Sequence, residues 1–85
     1  MSALQVKDDL IQCVHQSLGG FASVFFLKRA SSMIEASPDD RDSLWEASCK
    51  VSRLTELFID SSLAKRIRED LRAKIEGEYK GRPLD

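Results

Sequence analysis

The amino-acid sequence predicts an all-α protein, a small antiparallel bundle of three or four helices. Apolar residues return every three or four positions, as in Val6, Leu10, Cys13, Val14, Leu18 and in Leu44, Ala47, Val51, Leu54, Phe58, which is the period of one helix face. Helix-breaking or helix-starting residues stand between such runs at Gly19-Gly20, Ser37-Pro38 and Asp60. Charged residues make up 32% of the chain, which favours helices with solvated outer faces. Eighty-five residues hold one core and bury only roughly two-thirds of the unfolded surface. Stability is therefore expected to be marginal or shared with a partner. One helical domain is expected over residues 1–77, with 78–85 as a frayed tail containing Gly81 and Pro83.

The first helix is expected over Ala3–Leu18. Ser2 and Gln5 have capping-box spacing, and Met1 and Val6 stand where a hydrophobic staple would. Asp8 and Asp9 lie toward the positive end of the helix dipole. A glycine pair inside a helix costs roughly 2 kcal/mol relative to alanines. A turn or sharp kink is expected at Gly19-Gly20, one glycine taking the left-handed position that ends the helix. The second helix is expected from Phe21 to Ala36. It opens on Phe21, Val24, Phe25, Phe26 and Leu27, apolar nearly all round, as in a buried helix that the rest of the chain wraps. Lys28 and Arg29 lie on its rim, while Ala30, Met33 and Ile34 continue the buried side.

Ser37 then reads as an N-cap, Pro38 as a first helical residue, and Asp39 and Asp40 as an acidic first turn. In the third helix Leu44, Ala47, Val51, Leu54 and Phe58 form a short 3-4-3-4 seam, broadened by Trp45, Leu57 and Ile59. Asp60-Ser61-Ser62 breaks this phase. Either Asp60 or a serine caps a fourth helix, or one helix continues with a phase slip. The new pattern runs through Leu63 or Ala64, Ile67, Leu71 and Ile75, and Gly77 is expected to close it.

Composition excludes several functions. A net charge of −1 gives no global field toward nucleic acid or anionic membrane. The charge is nonetheless polarised: six Lys/Arg face nine Asp/Glu up to Ser62, and seven face four from Leu63 to Arg82. Cys13 and Cys49 form no metal-type pair and fall on apolar faces, where free cysteine acts as a small hydrophobe. A reducing, cytoplasmic compartment is expected, since the acidic N-terminus lacks the basic region of a secretory signal. The apolar run before Lys28-Arg29 is about ten residues, half of what a bilayer requires.

No enzyme is expected. His15, the single histidine, lies about 200° round the helix from Cys13, too far for a nucleophile–base pair. Zinc needs three or four ligands that this chain does not supply alone. The carboxylates at residues 39, 40 and 42 lack the glycine and closing glutamate of a calcium loop. Neither cofactor nor metal is expected, and no glycine-rich phosphate loop is present, since no strand precedes Gly19-Gly20.

Two surfaces remain. Apolar docking on another protein, or on a second copy of the chain, is expected through Phe21, Phe25, Phe26, Leu44, Val51, Leu54 and Phe58. The alternative is nucleic-acid binding by the basic helix 63–76 through Arg66, Arg68, Arg72 and Lys74. Against the alternative stand Glu69 and Asp70, which would meet phosphate. The pairs Lys65–Glu69, Arg66–Asp70, Asp70–Lys74 and Arg72–Glu76 have the i, i+4 spacing of a solvated face.

The stretch Leu18-Gly-Gly-Phe-Ala-Ser-Val-Phe-Phe-Leu-Lys-Arg-Ala30 resembles the glycine-containing opening of small helical domains appended to bacterial response regulators and kinases. That family has isoleucine-glycine-proline where this chain has Leu18-Gly19-Gly20. The resemblance implies a role in signalling assemblies and carries over no catalytic residue. The expected function is a small non-enzymatic interaction module: an adaptor, regulator or co-chaperone.

Overall fold

The structure, a computed structural model, describes residues 3–79. Four helices follow one another: α1 (Ala3–Leu18), α2 (Val24–Glu35), α3 (Arg41–Phe58) and α4 (Ser61–Glu78). Cross-helix contacts show their directions. His15 reaches Ser31 and Lys7 reaches the carbonyl of Glu35. Likewise Ser52 bonds Ala64 while Trp45 meets Arg68. In each pair of helices one residue number rises as the other falls, so α1/α2 and α3/α4 are antiparallel. Each helix packs on its two neighbours around a ring, α1 on α2 and α4, and α3 on α2 and α4. The expected antiparallel bundle is the fold.

The core follows the helical period. Val6, Leu10, Val14 and Leu18 of α1 meet Ile67, Leu71 and Ile75 of α4, with Leu44 and Val51 of α3 and Ala30 and Ile34 of α2 completing one cluster. Each large aliphatic fully removed from water contributes roughly 1.5–3 kcal/mol. The core thus lies mainly among α1, α3 and α4, and α2 supplies only two fully buried side chains.

Here the structure corrects the expected burial of α2. Its aromatic opening is not the centre of the bundle. The turn after α1 is longer than the two glycines: Gly19 N donates to His15 O (2.8 Å), and Phe21 N and Ala22 N both donate to Leu18 O. Ser23 caps α2 by accepting from Phe26 N at 3.2 Å, so the helix begins three residues later than expected, and Phe21 stands outside it. No glycine with positive φ occurs among the described residues, so the left-handed ending expected for α1 is absent. Gly19 is needed for space instead, because a Cβ there would lie 2.5 Å from the His15 carbonyl oxygen.

The next two boundaries also differ from expectation or resolve it. Asp40, not Ser37, caps α3. Its carboxylate accepts from Ser43 N (2.8 Å) and Ser43 Oγ (2.9 Å), while Ser37 is buried in the connection before it. Asp60 accepts from Leu63 N and caps a separate α4, which excludes one continuous helix. Gly77 does not close α4; it lies inside the helix, and Tyr79 is the C-cap. The capping box at Ser2 and the tail beyond Tyr79 lie outside the described residues.

The cap at Asp40 makes a testable contribution. Hydrogen bonds from the backbone and hydroxyl of Ser43 hold its carboxyl below the usual aspartate range. A folded-state pKa below the unfolded value stabilises the protein above the unfolded pKa, and that contribution is lost as pH falls through the folded pKa. The Asp40→Asn protein, which keeps a cap without the charge, is expected to show a shallower loss of stability on acidification through and below the ordinary aspartate range. Urea midpoints measured across that range check this, and parallel curves for the two proteins would contradict it.

The buried face of α3 is rotated away from its apolar seam. Beyond Leu44, Ala47 and Val51 it consists of Ser48, Ser52 and Thr55, all buried. Ser48 and Thr55 return their hydroxyls to the carbonyls of Leu44 and Val51 (both 2.8 Å), and Ser52 donates to Ala64 O of α4 (2.9 Å). A buried hydroxyl that finds a carbonyl avoids the desolvation penalty of an unpaired group. These small residues bring α4 close, and the rotation leaves Leu54 half-buried and Leu57 and Phe58 at the surface.

Candidate functional site: an aromatic docking face

In an up-down-up-down bundle the α1/α2 and α3/α4 turns lie at the same end. That end gathers the unburied aromatics. Phe25 is 84% exposed, Phe58 73% and Phe21 67%, with Leu57 at 70% and Val24 at 65%. Scattered surface hydrophobics are ordinary, but a contiguous group of this size marks an interaction surface. Phe21, Phe25, Phe26, Leu54, Phe58 and Ile59 line one groove of about 670 Å³. It joins a second, of about 720 Å³, that runs on between α2 and α3 past Met33 and Leu57 to Pro38. Arg29 and Leu54 border both grooves.

The predicted docking residues divide. Phe21, Phe25, Phe26, Leu54 and Phe58 meet at this face. Leu44 and Val51 are fully buried in the core and offer no surface to a partner, so the seam is not one docking stripe. Leu57 also belongs to the face, although it lies beside the 3-4-3-4 seam and not in it. It lies on the side of α3 away from the buried Ser52.

The four cations of the basic helix do not form one patch. Arg68 lies over the Trp45 ring, 5.4 Å from its centroid, a cation–π geometry that ties α4 to α3. Arg72 Nε is 3.5 Å from Glu76. Arg66 and Lys74 border a different hollow, between α1 and α4, together with Asp70, which accepts from Ser17 at 3.2 Å. A phosphate backbone meeting this side would find the Asp70 carboxylate among the cations.

The reactive side chains are dispersed. Cys13 is a buried free thiol, pushed above its usual pKa by burial and then by the charge of Asp70, which disfavours the thiolate. Cys49 is a half-buried free thiol. Exposed His15 shares a 3.2 Å contact with Ser31 Oγ across α1 and α2. No group of three or more His, Cys, Asp or Glu side chains that could hold a metal ion occurs among the described residues. No helix among them is long and apolar enough to cross a membrane.

Fold and surface together define a class: a four-helix bundle with an uncovered aromatic face at one end. No family model, curated protein or solved structure matches the chain.

Proposed function

We propose that the protein is a small, non-enzymatic interaction module of the cytoplasm, an adaptor, regulator or co-chaperone that docks another protein on its aromatic face. One observation carries the reading: three of its four phenylalanines, Phe21, Phe25 and Phe58, stand mostly in solvent at one end of a bundle whose core is complete without them. Leaving such area in water is unfavourable, at roughly 25 cal/mol for each Å², and covering it would drive association. The resemblance of residues 18–30 to helical domains of bacterial signalling proteins agrees with an assembly role. Nucleic-acid binding has less support, because Arg68 and Arg72 face Trp45 and Glu76.

The test is site-specific photo-crosslinking in the source cell, with a photoreactive residue in place of Val24, between the groove residues Ser23 and Phe25, or, as control, of Lys65 on α4, which lines neither groove. A discrete adduct is expected from position 24 and not from position 65. Equal labelling at the two positions, or none at either, would refute docking by this face.

A further inference from the structure

We infer that the occupant of this face is an amphipathic helix of a partner protein, apolar along one side and acidic along its flanks. The inference rests on the docking function proposed above and adds the chemistry of the partner. Shape supplies the first ground. The two connected grooves follow the line between α2 and α3, which are packed together more thinly than the other neighbours. Twelve residues of α2 make a trough about 18 Å long, the length of three helical turns. Its floor is Phe26, Met33, Ala47 and Leu54, and Phe25, Leu57 and Phe58 stand at its rim. Such a trough takes apolar anchors spaced i, i+3 or i+4, and i+7 from a single helix.

Charge supplies the second ground. The trough is bordered by Arg29, Lys50 and Arg53 and by one acid, Glu46. Glu46 is 3.6 Å from Lys50, and neither Arg29 nor Arg53 forms an ion pair among the described residues. Two exposed guanidiniums thus line the same apolar trough in a chain whose net charge is −1. Carboxylates flanking a docked helix would meet both, in the forked geometry that arginine favours. A second copy docking by the same face would instead bring one cationic border against another, which disfavours the symmetric dimer.

The full-length protein is titrated with two synthetic helical peptides of about fourteen residues. Both carry the same Leu and Phe anchors; glutamates flank them in one and lysines in the other. The acidic peptide is expected to bind with backbone NMR shifts confined to α2, the 19–23 turn and the second half of α3. The Arg29→Glu/Arg53→Glu protein is expected to bind it about tenfold more weakly, and to bind the basic peptide better, as two surface ion pairs allow.

Equal or stronger binding of the basic peptide by the unsubstituted protein, or shifts centred on α1 and α4, would overturn the inference. So would a position-24 crosslink to a second copy of the chain that the acidic peptide does not compete away. That last result would leave docking by this face standing and remove only the acidic helix. A protein labelled equally at positions 24 and 65 would remove both.

Discussion

Replacing Leu44 by alanine is expected to lower the stability of the protein by about 3 kcal/mol. Leu44 is completely buried in the cluster shared by all four helices, and its carbonyl receives the Ser48 hydroxyl. Truncation removes the transfer free energy of the lost carbons and leaves a cavity that the rigid packing around it only partly fills. Domains of ordinary size have roughly 5–15 kcal/mol in total, and short chains bury proportionally less surface. The loss is therefore a large share of what holds the bundle together. With a urea dependence of about 1 kcal/mol per molar for so small a protein, the midpoint should fall by about 3 M. Leu57→Ala is the matched control. Leu57 is the same residue type on the same helix, but 70% exposed, and its truncation should change stability by no more than about 0.5 kcal/mol. Circular dichroism during urea unfolding of the two variants checks both values. Equal losses would mean that α3 is rotated relative to the arrangement described.

That contrast also shows what can be read from the sequence. The period of Val6 to Leu18 and of Ile67 to Ile75 points straight at the core, because these helices bury a single aliphatic stripe. α1 accordingly has the bounds expected of it, and Asp60 lies at the phase break that separates α3 from α4. α3 is different. Apolar spacing assumes that the most hydrophobic face is the buried one, whereas this helix turns Ser48, Ser52 and Thr55 inward. The hydroxyls are affordable there because each finds a carbonyl within 2.9 Å, a partner that sequence spacing does not reveal. Once α3 is rotated, Leu57 and Phe58 are turned outward.

The same limit applies to α2. Phe21, Phe25 and Phe26 look like core because aromatic residues usually are buried, and a helix apolar on all sides has no preferred outer face. What decides the matter is the turn. Three backbone N–H groups fold back on His15 and Leu18, and Ser23 takes the cap. Phe21 is then left on the turn and Phe25 in the first helical turn, both largely in solvent. The side chains that α2 buries completely, Ala30 and Ile34, come from its second half, and Lys7 helps to hold that half by joining Asp39 (2.7 Å) and the Glu35 carbonyl (3.1 Å).

If the aromatic end is a docking surface and not a structural one, binding and stability must separate there. In the Phe25→Ser/Phe58→Ser protein the two rings most exposed to water are removed, and neither belongs to the core cluster or to the side chains packed against it. Each substitution should change folding stability by no more than about 0.5 kcal/mol. Fluorescence of a hydrophobic dye bound to the native protein should fall, because the contiguous apolar area that attracts it is broken. Association should suffer far more. Aromatic anchors at the centre of an interface commonly contribute about 2 kcal/mol or more apiece, so losing two corresponds to about a hundredfold or greater weakening. The crosslink from position 24 should accordingly disappear in the double variant while its urea midpoint stays near that of the parent. A double variant that unfolds would place these rings in the structural core. One that folds normally and still forms the crosslink would place the contact elsewhere on the surface. Stability kept and adduct lost is the combination that only an exposed, partner-facing cluster produces, since a packing role cannot be removed without cost to folding.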